Sequence, residues 1–130
     1  MNKTMLLGRL TADPELRYTN TNNIPVVSFT LAVRRKFTRE GGPEADFINI
    51  VAWQKTAEFV AEYFTKGQLM ALEGRFENHN WTDRDGIKRY DIRVVAESVD
   101  FAGYNKGDVQ ADNAGEEQVI DPYADLRDAA

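Results

Sequence analysis

The chain contains no cysteine, and that absence removes disulfides, thiolate metal sites and cysteine nucleophiles together. A reducing compartment suits such a chain. It holds a single histidine, His79, flanked by Asn78 and Asn80 on a polar segment, where an exposed or phosphate-adjacent imidazole is the ordinary reading and a general base the special one. No stretch approaches the run of about 18 apolar residues that a membrane span needs. The opening MNKTMLLGRL is interrupted by Arg9 and then Asp13, too early for a secretion signal. Phosphate-cradling loops are also missing, because the glycines of GRL, GRF and GG are isolated. Asp83 and Asp85 stand close enough to imitate a metal pair, but they bracket a turn ahead of Gly86, which is the everyday use of aspartate. These gaps point to a soluble cytoplasmic protein with no catalytic residues, no metal and no cofactor.

What is present begins with an uneven charge. The net charge of −5 over 130 residues argues against a polyanionic partner only if it is evenly spread. Residues 1–107 carry 15 Lys and Arg against 14 Asp and Glu, whereas residues 108–130 carry one Arg against seven acids. The acidity therefore belongs to the tail. NKGDVQADNAGEEQ has almost no large apolar side chain and cannot bury enough surface to offset its chain entropy. The expected organisation is a folded domain over residues 1–104 and a disordered acidic tail over 105–130.

Within the domain, hydrophobicity alternates with period two. A first strand is expected around Lys3 to Leu10. In PVVSFTLAV, Val27, Phe29, Leu31 and Val33 share one face; in QLMALEGRFE, Met70, Leu72, Gly74 and Phe76 do; in IKRYDIRVVA, Tyr90, Ile92 and Val94 do. ADFINIVAW puts Ile48, Ile50 and Ala52 on one face and Phe47, Asn49, Val51 and Trp53 on the other, so both faces are sticky. One segment changes period: Ala57, Val60, Ala61 and Phe64 recur at helical spacing, with Gly67 placed to end the helix. The turn from Asp83 to Gly86 makes residues 69–96 a long hairpin. The expected fold is all-β, a five-stranded Greek-key barrel of the OB type with one short helix between strands three and four. The open face of such barrels commonly binds oligonucleotides or oligosaccharides.

Phe47 and Trp53 share the face opposite Ile48, Ile50 and Ala52, which meets either a second layer of protein or a ligand, and Trp81 falls on the polar side of its strand, in phase with Arg75 and His79. Strict parity places Phe37 with Val33 on the core face, so only a bend after Arg34 would turn it out. Flat rings beside Arg34, Arg35, Lys36, Lys55, Arg75, Lys88 and Arg89 are the two parts needed for single-stranded nucleic acid. The rings stack on unpaired bases, at roughly 1–3 kcal/mol each, and the cations follow the phosphates. The ordinary alternative is that strand aromatics are core or oligomer interface and that most Lys and Arg are merely solvated.

Several separated motifs carry a resemblance: LLGRLTADPELRYT, FTLAVRRKF, ADFINIVAWQKTAEFVAEYFTKG and EGRFENHNWTDRDG, in that order over residues 1 to about 101. In these the chain resembles the bacterial, or phage, single-stranded DNA-binding proteins. That resemblance implies an OB-fold homotetramer that coats single-stranded DNA without sequence preference during replication, recombination and repair. It places Phe37, Phe47, Trp53 and Trp81 at stacking positions, and it associates Arg17, Arg34, Arg35, Lys36, Lys55 and Lys66 with motifs of the family. With Arg75 and Lys88 these form the expected phosphate set. It further implies a nucleoid-associated location and docking of replication and repair proteins on the acidic tail. In the family that tail typically ends in a proline and a terminal phenylalanine; here the end is VIDPYADLRDAA, which departs from that pattern. An RNA-binding or replication-restart OB domain, a protein-interaction module with an aromatic interface, and a metal-dependent enzyme using His79 stand as the alternatives.

Overall fold

The period-two segments do become strands. The computed structural model describes residues 1–103, and the acidic tail lies outside the described residues. The chain runs β1 (Thr4–Leu10), β2 (Glu15–Tyr18), β3 (Pro25–Arg34), β4 (Ala45–Trp53), α1 (Gln54–Tyr63), β5 (Leu69–Thr82) and β6 (Lys88–Phe101). The sheet order is β1-β5-β6-β4-β3-β2, and β3 also pairs back to β1 through Arg9 with Ala32 and Leu10 with Leu31. That second pairing closes five strands into a barrel. Only β4 and β6 run parallel, at Ile50 with Val94 and Val51 with Val95.

One strand is additional to the five expected. β2 is a four-residue edge strand that pairs with the first half of β3, Glu15 opposite Ser28 through Tyr18 opposite Pro25. The edge of β3 is thus shared: β1 takes its second half and β2 its first. Closure demands a tight approach, and Gly8 permits it, because a Cβ there would lie 2.4 Å from the Ala32 carbonyl oxygen.

The barrel interior follows the alternation. Leu10, Val27, Phe29, Leu31, Ile50, Met70, Leu72 and Val94 form one buried cluster, with Ile48 and Leu6 packed against it. Burying each such side chain stabilises the fold by about 1.5–3 kcal/mol. From α1, Ala57 and Val60 enter the same cluster. The helix stops at Tyr63, before the expected Gly67. Phe64 is already extended (φ −116°, ψ 141°), its ring 4.9 Å from that of Phe101 and nearly parallel to it, and Phe59 and Tyr63 edge onto the same Phe101 ring. Gly67 instead makes a left-handed turn (φ 85°) whose N–H donates to the Leu10 carbonyl at 2.8 Å.

The β5–β6 hairpin is longer than the barrel. Its core face is buried through Gly74 on β5 and Val94 on β6, but farther out Phe76, Tyr90 and Ile92 continue the same parity and are exposed. The tip is tied by Asp83. Its carboxylate accepts hydrogen bonds from the Ile87 and Asp85 N–H groups, each at 2.9 Å, and from Arg89 Nε at 2.9 Å. The Asp83 side chain is therefore a turn device, as its place before Gly86 suggested. Among the described residues no helix is long and apolar enough to cross a membrane.

Candidate nucleic-acid interface

Strand register alone assembles one outward face of the sheet. Arg17 pairs with Val26, which pairs with Trp53, so these three stand in a row across β2, β3 and β4. The next row runs Glu15, Ser28, Val51, Val95 and Arg75 across five strands. Thr30 with Asn49 and Ala32 with Phe47 follow, and the overhanging hairpin continues the face with Glu77 and Arg93, His79 and Asp91, then Trp81 and Arg89. Alternate residues on a strand share a face, which is why these side chains come together from five separate segments.

The rings on this face are open to solvent: Phe47 is 54% exposed, Trp53 38% and Trp81 46%. Phe47 and Trp53 are six residues apart on β4, about 20 Å at the strand rise of about 3.3 Å. Phe37 lies beyond the end of β3 in the loop to β4, where parity no longer applies. It is 82% exposed, with Lys36 Nζ 5.6 Å from its ring centre. Between the β4 rings and the hairpin lies a shallow groove of ≈ 300 Å³ lined by Ser28, Thr30, Asn49, His79, Asp91 and Arg93. A second groove of ≈ 290 Å³ at the hairpin tip is lined by Trp81, Lys88, Arg89 and Tyr90.

The cations divide. Arg17, Arg34 and Arg75 belong to the ring-bearing face, Arg34 by its pairing with Ala45 two residues from Phe47. Arg17 pairs with Glu15 at 2.9 Å, but both groups are about three-quarters exposed, so the pair competes weakly with any other anion. Arg75 approaches Glu77 at 3.5 Å. Lys55 is exposed in the first turn of α1, next to Trp53, and Lys88 lines the tip groove. Two of the candidates stand apart. Arg35 is held by Asp46, with Nη2 and Nε at 2.7 and 3.1 Å, and Asp46 shares the face of Val33, opposite Phe47. The hydrogen bonds that Arg35 donates hold the Asp46 carboxyl below the usual carboxylate range, and the same bonds to the carboxylate raise the arginine. Lys66 sits in the loop after α1, where its N–H donates to Asp13 at 2.7 Å.

Parity in the sequence puts Thr30, Asn49, Asp91 and Arg93 on the sides of their strands away from the core, but none of them stood among the expected site residues. Their two-residue phase with Phe47 and Trp81 was the available signal. Thr30 Oγ1 donates to Asn49 Oδ1 at 3.3 Å, and the Asn49 amide donates to Asp91 at 3.4 Å. Arg93 is bidentate on Glu77 Oε1, at 2.9 and 3.2 Å. Such an arrangement offers flat apolar platforms, a polar floor between them and cations around the margin. It can hold an extended chain of planar rings joined by negative links.

Comparison with known proteins meets this geometry independently. Residues 1–102 match the family described as "Single-strand binding protein family". The chain is 50% identical over 106 residues to "Single-stranded DNA-binding protein 2" of Clostridium acetobutylicum, covering 82% of this chain and 80% of that one. It is 52% identical over 101 residues to "Single-stranded DNA-binding protein 3" of the same organism, covering 78% and 70%. With "Single-stranded DNA-binding protein" of Staphylococcus aureus the identity is 46% over 114 residues, covering 86% and 72%.

Proposed function

Because the chain belongs to the single-strand binding protein family, we propose that it binds single-stranded DNA without catalysis, in replication, recombination and repair. The observation that carries the reading is the face on which Phe47, Trp53 and Trp81 stand outward while the opposite side chains fill the barrel. Bases stack on these rings and on Phe37, which the loop to β4 presents. Duplex DNA hides its base faces, so the platforms select unpaired strands. Phosphates follow Arg17, Arg34, Lys36, Lys55, Arg75 and Lys88; Arg35 is held by Asp46 on the opposite face, and Lys66, on the loop after α1, adds charge from a distance.

The binding domain spans residues 1–104 and works within a homotetramer. The exposed Met5 and Leu7 on the outer side of β1 support self-association. Residues 105–130 form an acidic tail that serves replication and repair proteins, in the cytoplasm and at the nucleoid. The test is a titration of the full chain's tryptophan fluorescence with oligo-dT at two salt concentrations. Saturable quenching that weakens at the higher salt is the expected result, and no response at either salt overturns the reading.

A further inference from the structure

Two of the arginines on the ring-bearing face share one carboxylate. Glu77 Oε1 accepts Arg93 Nη2 at 2.9 Å and Arg93 Nε at 3.2 Å, while Glu77 Oε2 lies 3.5 Å from Arg75 Nη2. The hairpin brings the three together, because Arg75 and Glu77 are two residues apart on β5 and Arg93 is the cross-strand partner of Glu77 on β6. The Arg93 side chain is 23% exposed and that of Glu77 35%, against about three-quarters for both Arg17 and Glu15. Salt therefore screens this contact less. Arg93 also lines the groove between the β4 rings and the hairpin. A strand whose bases stack on Trp53 and on Trp81 crosses that groove, and its phosphates meet two arginines whose donors are already turned to a carboxylate. Carboxylate and phosphate oxygens are received by guanidinium groups in the same way.

We propose that Glu77 holds the place of a DNA phosphate, and that the incoming backbone takes Arg93 and Arg75 over from it. The inference rests on the single-stranded DNA reading above and concerns the backbone alone, so it is indifferent to base sequence. Each phosphate gained here is a carboxylate partner lost, and the exchange makes little net change in paired charge. Arg93 and Arg75 then add less to affinity and to salt dependence than free arginines would. Glu77 thus tempers how tightly the face grips its ligand, and it acts through the two arginines rather than on the DNA.

The experiment follows the anisotropy of a labelled oligo-dT with the full chain between 50 and 200 mM salt, for the native protein, Glu77→Gln, Arg93→Ala, their double variant and Asp91→Asn. Glutamine keeps the shape of Glu77 and removes its charge, and the thermal midpoint checks that the fold is preserved. Glu77→Gln is expected to bind about two- to five-fold more tightly at 50 mM, the scale of one partly exposed ion pair no longer to be broken. Its slope of log affinity against log salt should steepen by about 0.7 for each arginine released. In the Arg93→Ala background the same change should gain less, since only Arg75 is left to release. Asp91→Asn removes a charge from the same face, but that carboxylate takes the Ile92 N–H and the Asn49 amide and holds no cation, so its slope should change less. Three results overturn the inference and spare the function beneath it, provided that oligo-dT still binds: a Glu77→Gln protein that binds no better than the native one, a gain undiminished by Arg93→Ala, or a steepening that Asp91→Asn equals. Failure of the native protein to bind oligo-dT overturns both.

Discussion

Trp53 and Arg17 stand on either side of Val26, two strand spacings apart, or about 10 Å. They are assigned different parts of one ligand, so their removal has separable signatures. Trp53→Ala takes away a platform and no charge. It should weaken binding of a short oligo-dT by about 1–3 kcal/mol, which is about 5- to 150-fold in Kd, with the dependence on salt unchanged. Trp53→Phe, which keeps a ring, should recover most of that loss. Arg17→Ala takes away a charge and no platform. The slope of log affinity against log salt should fall by about 0.7, the single-strand value per phosphate, which amounts to about 2.6-fold between 50 and 200 mM salt. The exposed Glu15 does not prevent this, because its ion pair with Arg17 is weak in water. At this separation the double variant should be additive to within about 0.5 kcal/mol. Anisotropy of a labelled oligo-dT over a salt series measures the native protein and all four variants without relying on tryptophan emission. A changed salt slope in Trp53→Ala, or an unchanged one in Arg17→Ala, refutes the division of labour.

Three further outcomes concern the frame that holds the face. Gly8→Ala forces a methyl against the Ala32 carbonyl where the barrel closes, and should lower stability by about 1–3 kcal/mol, seen as a melting point lower by about 5–20 °C. Gln54 adopts a left-handed conformation (φ 56°) at the switch from β4 to α1. Gln54→Gly removes a strain of about 1–2 kcal/mol against a glycine entropy of about 0.5–1 kcal/mol, so chemical denaturation should show a slightly more stable protein, and Gln54→Val a less stable one. The Ile87 N–H, helped by Arg89 and the Asp85 N–H, holds the Asp83 carboxyl below the ordinary value of about 3.9. The stability it contributes is therefore present above that pH and lost as pH falls through the lower folded value; Asp83→Asn should flatten that acid limb in thermal melts.

Much of this was legible because alternation is a local signal. ADFINIVAW separates cleanly into Ile48, Ile50 and Ala52 inward and Phe47 and Trp53 outward, since β4 is paired along its length and cannot slip by one residue. Parity reveals the face of a residue but not how far the barrel extends. Phe76, Tyr90 and Ile92 keep the core phase yet lie in the open on the overhang. ELRY was too short to show a period, and its pairing with β3 is a tertiary fact. Phe64 fits the helical spacing of Ala57 and Val60, but its stacking on Phe101 is made from extended backbone, so the helix ends before Gly67. Arg34, Arg35 and Lys36 look like one cluster in sequence, yet Arg34 pairs with Ala45 on the ring-bearing face and Arg35 turns to Asp46 on the other.

The ring of Phe101, stacked on Phe64 and edged by Phe59 and Tyr63, fastens the last strand to the helix just before the chain leaves the barrel. A force directed along β6 from its end at Phe101 loads it lengthwise against β5, whose ladder begins at Met70 and Phe101 and runs to the hairpin tip. Many rungs then share the load in shear rather than opening one after another like a zipper. Such a load along β6 meets a mechanically stiff mooring.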